Sequence, residues 1–190
     1  DSLIWTGTTD RQNYEIIVKR IINKYFEQPN YFQIDGKPVF SIYDLRNFIQ
    51  SFNGMGGAID ALDYFRKEVS KTGFPGLHVQ TIGKYNLANP EKPLLFSEQS
   101  GQEMGINEVI SRLGINSVTM YNMAPRGDIE DYITYGERAI ALRKNWDSLL
   151  NIPFFPCVSA GWDTTPRYPD MGKESVIHFH NTPESFAAYL

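Results

Sequence analysis

Six consecutive residues, Trp162-Asp163-Thr164-Thr165-Pro166-Arg167, bring an indole, a carboxylate, a turn and a guanidinium together. Sugar recognition uses such a set. Charged and amide groups bind hydroxyls, and an aromatic plane stacks on the apolar C–H face of the ring. Tyr43-Asp44 and Tyr121-Asn122 each pair a phenol with a hydrogen-bonding side chain, and Gln80 adds an amide. Each of these also has a plainer reading. Asp44 fits the N-cap of a following helix. Tyr43 and Tyr121 fit core residues with a wet hydroxyl. Gln80 fits a structural role, and Asp163 ahead of Thr164, Thr165 and Pro166 fits turn chemistry.

Other chemistries find less support. His178 and His180 would share one face of an extended segment, but no matching third ligand accompanies them, so no metal site is expected. Cys157 is the only cysteine and sits in an apolar run, as a small core residue would. It excludes an internal disulfide and metal sites built on several cysteines. No G-x-G-x-x-G or G-x-x-x-x-G-K stretch is present, and no cofactor is implied. The net charge of -4 comes from interspersed acids and bases, which excludes a basic nucleic-acid footprint. No apolar run approaches the ~18 residues of a membrane span. Hydrophobic residues at 42% and charged residues at 21% are ordinary for a globular protein, and 190 residues suit a single domain, 1–190.

The elements that must position these residues follow from periodicity. Tyr14, Ile17, Val18, Ile21, Ile22 and Tyr25 mark one helix face, with Thr9 and Gln12 at capping-box spacing and Pro29-Asn30 as the stop. Val39 to Tyr43 reads as a buried strand after the Asp35-Gly36 turn. Ala58, Ala61, Leu62, Phe65 and Val69 predict a second helix, and Leu77 to Ile82 a second strand. The stretch 83–103 is polar, broken by Gly and Pro, and long enough for a functional loop. Ile106, Val109, Ile110 and Leu113 predict a short helix ended by Gly114, and Ile115 to Tyr121 a third strand. A long helix is expected from Pro125–Asp128, with Ile129, Tyr132, Ile133, Ile140 and Trp146 inside. Pro153 to Ser159 predicts a fourth strand, and Thr182-Pro183-Glu184 a helix start.

Strict alternation of strand and helix predicts an α/β fold with a parallel sheet. Two architectures fit: an open doubly wound sheet or a (β/α)₈ TIM-barrel type, of which four strands make roughly half the barrel. In both, ligands meet the C-terminal ends of strands. That rule selects Tyr43, Asp44, Gln80, Tyr121, Asn122, Trp162, Asp163 and Arg167 as candidate substrate-binding residues. Asp44 and Asp163 are the only carboxylates at predicted strand ends. They do not make a convincing acid–nucleophile pair, so the catalytic residues are unknown.

Several stretches together resemble one family. Tyr25 to Asp44, YFEQPNYFQIDGKPVFSIYD, looks like a segment of the WbsX-like family, which is related to glycoside hydrolase family 99. LGINSVTMY, ending at Tyr121, and PCVSAGWDTTPR, from Pro156 to Arg167, are similar to later strands, and Asp1 to Gly7 resembles the tail of an earlier motif. The resemblance covers most of the chain. It implies a (β/α)₈ barrel and a retaining glycoside hydrolase that uses two Glu residues of an Asn-Glu-Trp-x-Glu type motif, with the substrate's 2-hydroxyl as nucleophile through an epoxide-like sugar. The only Asn-Glu here, Asn107-Glu108, lies on a predicted helix and lacks the Trp. The catalytic pair is therefore expected beyond Leu190, in a longer enzyme of which this chain is a part.

The resemblance implies a glycan substrate, α-mannoside-like or a bacterial polysaccharide. It leaves two alternatives open: a glycosyltransferase-type protein of polysaccharide biosynthesis, and a non-catalytic glycan-binding or interaction module. Exposed strand edges in a partial barrel predict pairing with another chain or with the rest of its own barrel. The start at Asp1 shows no signal-peptide pattern and does not choose between a periplasmic, extracellular or cytoplasmic bacterial setting.

Overall fold

The computed structural model describes residues 9–83, 96–97, 103–121, 129–172 and 175–190. The Asp1 to Gly7 motif, most of the 83–103 loop, Asn122 and Pro125 to Asp128 lie outside the described residues. The chain divides into two compact units, Asp1–Ile82 with Lys92–Val118, and Gly83–Glu91 with Thr119–Leu190.

The first unit opens with α1, Arg11–Ile21. Its cap is Asp10, whose carboxylate accepts from Asn13 N–H at 2.8 Å. The cap falls one residue after the Thr9 that the capping-box spacing selects, because a charged acceptor serves the positive helix end better than a hydroxyl. The helix then widens into a π-helical turn, Ile22–Phe26. A wider turn moves the inward position along by one residue. Phe26 is buried at 1% exposure, while Tyr25, expected inside, is exposed at 53%.

Next come β1, Gln33–Ile34, and β2, Lys37–Ile42, an antiparallel pair across Asp35-Gly36. Both turn residues have positive φ, 53° and 73°, the geometry of the tight hairpin turn that Asp-Gly favours. Two helices follow, α2 at Leu45–Ser51 and α3 at Met55–Ser70. They lead into β3, His78–Gly83, which pairs parallel to β2 from Val39↔His78 to Ile42↔Thr81. This is the expected crossover unit, with α2 as an additional helix. A short antiparallel pair, β4 at Phe96–Ser97 and β5 at Glu103–Met104, precedes α4, Ile106–Leu113. That helix ends on Gly114 in the left-handed region at φ 62°, a conformation glycine enters without a Cβ penalty. β6, Ser117–Met120, then lies next to β3.

One face of these strands packs on the helices. The Phe40 ring meets Phe65 of α3 edge-on at 5.0 Å. Phe65 also stacks on Phe26 at 5.8 Å and meets Tyr14. Val18, Leu62, Phe65, Val69, Val79, Val109 and Val118 are fully or almost fully buried. Burying each such side chain contributes about 1.5–3 kcal/mol, which is what holds α1, α3 and α4 on the sheet.

The second unit contains β7, Ile129–Asp131, and β9, Ile177–Phe179, paired parallel from Ile129↔Ile177 to Asp131↔Phe179. α5 runs Tyr132–Leu149 and is capped by Asp131, which accepts from Ile133 N–H at 2.9 Å. The expected start at Pro125–Asp128 is therefore corrected: the residues before Tyr132 form a strand. The later start changes the inner face as well. Tyr132, Tyr135, Gly136, Ala139 and Trp146 are buried, whereas Ile129, Ile133 and Ile140 are exposed.

β8 covers only Phe154–Phe155, next to the end of β6. The expected strand from Pro153 to Ser159 is this short because Pro153 and Pro156 lack the N–H a ladder needs. α6, Pro183–Tyr189, starts as expected, with Thr182 accepting from Ser185 N–H and Pro183 in the first position. Tyr132, Tyr135, Ala139 and Tyr189 form this unit's core, with Met120, Phe154, Cys157, Val158 and Phe186 against it. Cys157 is thus a packing residue. The fold is mixed α/β, and among the described residues no helix is long and apolar enough to cross a membrane.

Candidate functional site

In the first unit the helix-free face of the sheet carries a chain of polar side chains. Alternation puts Ser41 of β2 on one face with His78 and Gln80 of β3, since Ser41 pairs with Gln80 and Val39 with His78. Ser41 Oγ donates to Gln80 Oε1 at 2.8 Å, and Gln80 Nε2 donates to Ser117 Oγ at 3.1 Å. Ser117 Oγ lies 2.8 Å from His78 Nε2. That oxygen accepts from Gln80 and keeps both a hydrogen and a second lone pair with which to meet His78 Nε2. Burial pushes the His78 pKa down, Lys37 adds to this, and Asp35 opposes it.

Both ends of the Gln80 amide have partners within the sheet. Asp44 Oδ1 accepts from Asn47 N–H at 3.0 Å and caps α2. Tyr43, just past the end of β2, is exposed.

In the second unit Trp162 to Arg167 form a turn bonded along Val176 to His178. Thr164 N–H donates to Val176 O at 3.0 Å, and Asp163 bridges Ile177. Trp162 is held at both peptide groups. Its N–H donates to His178 Nδ1 at 2.9 Å, and its carbonyl accepts from His178 N–H at 2.9 Å. The backbone is therefore pinned while the residue remains 51% exposed. Asp163 Oδ1 accepts from Thr165 N–H at 2.8 Å and from Thr165 Oγ at 2.7 Å. These two bonds hold the carboxyl below the usual range. Asp163 therefore stays ionised near neutral pH and accepts hydrogen bonds. A general acid needs the opposite shift. Arg167 N–H closes the turn on Thr164 O at 3.1 Å, and Arg167 is exposed. Tyr168 and Tyr121 are exposed too.

Beneath Trp162 lies a group of titratable side chains. His178 is 5% exposed and stacks on Tyr135 at 4.0 Å. Its Nε2 lies 3.6 Å from Glu130 Oε1, beyond hydrogen-bond length, and Glu130 is itself bonded to Arg138. Burial and then the Arg138 charge push the His178 pKa down. The pairing of Glu130 with Arg138 explains why a carboxylate this close does not raise it.

His180, in contrast, has φ 59° and turns outward to Asp131 Oδ2 at 2.8 Å. The two histidines therefore do not share a face. Among the described residues no group of three or more His, Cys, Asp or Glu could hold a metal.

Of the candidates, Trp162, Asp163 and Arg167 share one turn, and Asp44 and Gln80 have structural partners. Sequence reasoning passed over His78, Ser117, Glu130 and Arg138. The alternation of polar residues in an otherwise apolar strand, His78 and Gln80 with Ser117 in the next strand, is a signal for the first two. Glu130 and Arg138 carry none, because their partner His178 is far away in the chain.

No curated protein and no solved structure matches the chain. A family model described as Glycosyltransferase WbsX matches residues 2–190. With that match and an exposed aromatic and charged turn on an α/β scaffold, the chain belongs to the glycosyltransferase WbsX family of carbohydrate-active proteins.

Proposed function

We propose that this chain is part of a glycoside hydrolase of family 99-like type, folded as roughly half of a (β/α)₈ barrel and acting with retention on α-mannoside-like or bacterial polysaccharide glycans. The pinned, half-exposed Trp162 carries the reading. An indole fixed at its backbone and open at its ring is a stacking plane for a sugar, and the same turn presents an ionised carboxylate and a guanidinium for hydroxyls. In this reading Trp162 stacks on or walls one ring and Asp163 and Arg167 contact its hydroxyls, while Tyr43, Asp44, Gln80, Tyr121 and Asn122 stand as further proposed glycan contacts, each in its own unit. Asp44 and Asp163 act as caps and acceptors and not as the acid–nucleophile pair, so the two catalytic carboxylates are other residues.

The second reading, transfer from a nucleotide-sugar donor in polysaccharide biosynthesis, is favoured by the description of the family. The two are separated by incubating the full-length gene product with an α-mannoside, with and without a nucleotide sugar. Release of free reducing sugar without donor is expected. A strict requirement for the donor would establish transfer instead. Asp163→Ala is expected to weaken glycan binding about tenfold, and an unchanged affinity would remove this turn from the site.

A further inference from the structure

His178 lies outside the proposed sugar-contacting set, yet it meets Trp162 twice. Its main-chain N–H donates to the Trp162 carbonyl and its ring Nδ1 accepts the Trp162 N–H, both at 2.9 Å. The ring is wedged in place. Tyr135 of α5 stacks on one side, and Gly161 comes close enough that a Cβ there would stand 3.3 Å from the His178 Cβ. Nε2 faces Glu130 of β7, whose carboxylate is held by Arg138 of α5. Tyr135, Glu130 and Arg138 are the titratable and charged groups that meet the ring from the packed elements. None of them makes a hydrogen bond to Nε2 in this geometry.

We propose that His178 is the positioning residue for the Trp162 platform, and that its unprotonated Nδ1 is a switch: an acidified protein loses the Trp162 N–H bond and with it the ordered stacking plane. The bond needs a lone pair on Nδ1. Protonation puts a hydrogen there, donor faces donor, and the turn keeps only the main-chain half of its clamp. The Arg138 guanidinium in the same cluster disfavours a second positive charge, and the half-buried Glu130, already paired with it, does not relieve it. The platform is thus ordered at neutral pH and released under acidic conditions.

This inference rests on the reading of Trp162 as a sugar platform. Its test is chosen so that the two fail separately. In the full-length gene product, acrylamide quenching of Trp162 is measured as the difference between the parent and Trp162→Phe, from about pH 7.5 to about pH 4.5, without any glycan. The parent should show a transition in quenching that follows one titrating group. His178→Leu should lack the transition and should show the acid-like quenching at every pH. His178→Asn, whose side-chain oxygen can replace the Nδ1 acceptor, should show neutral-like quenching throughout. A transition that persists in His178→Leu, or quenching that is flat in the parent, overturns the switch.

Binding of α-mannobiose is measured separately. His178→Leu should weaken it about tenfold and His178→Asn should not. Equal affinity in the parent, His178→Leu and Trp162→Ala overturns the platform reading, whereas loss in Trp162→Ala alone overturns the positioning role of His178.

Discussion

Ser117 holds two partners with one oxygen, accepting from the half-buried Gln80 and facing the buried His78 Nε2. Removing that oxygen takes a partner from both, at a place where His78 and Ser117 are buried. Ser117→Ala should therefore cost about 1–3 kcal/mol, read as a lower midpoint in urea unfolding. An unchanged midpoint would mean that His78 and Gln80 find other partners. His78 and His178 both have folded pKa values pushed down, so the unfolded chain binds protons that the native state does not. Stability should be complete above the ordinary histidine value of about 6.5 and should fall as pH drops below it toward the folded values. His78→Gln should narrow the gap between urea midpoints at about pH 7.5 and about pH 5.5. A gap that stays the same would place the proton uptake elsewhere.

At this scale the sequence identified residue types well and their partners poorly. Asp44 was legible as a cap because its partner is three residues away. Glu130 and Arg138 were not, because the histidine they meet lies far along the chain.

At the scale of the element, the junction of α2 and α3 is a place where side-chain volume decides the structure. A Cβ on Gly57 would stand 1.9 Å from the Phe52 carbonyl oxygen, while one on Gly56 would meet nothing within 4 Å. Gly57→Ala must displace backbone and should destabilise by about 1–3 kcal/mol. Gly56→Ala lies within α3 and should stabilise by about 0.5–1 kcal/mol. Opposite shifts in thermal midpoint are the expected result, and two shifts of the same sign would contradict the packing. Elements with a full apolar stripe, such as α3 and α4, were legible from periodicity alone. Short strands were less so: β7 and β9 have three residues each and owe their existence to pairing with each other across a long stretch of sequence, and β8 was expected but is only two residues long. The α5 face was misplaced because its start was set at Pro125–Asp128, ahead of the strand that precedes it. The π-helical turn after Ile21 shifted the α1 face because no local residue signals it.

At the scale of the molecule, the alternation of strand and helix made the α/β class legible, and the parallel β2–β3 pair with its helical crossover carries that pattern. Family membership over residues 2–190 gives the carbohydrate context. The exposed turn of Trp162, Asp163 and Arg167 is the proposed place for it to act. On the proposed function, this turn handles a glycan in a hydrolytic reaction with retention. The most direct measurement follows the anomeric protons by NMR while the full-length gene product acts on an α-mannoside without any nucleotide sugar. The α-anomer of the free sugar is expected to appear first and then to mutarotate. First appearance of the β-anomer, or no release unless a nucleotide-sugar donor is added, would contradict it.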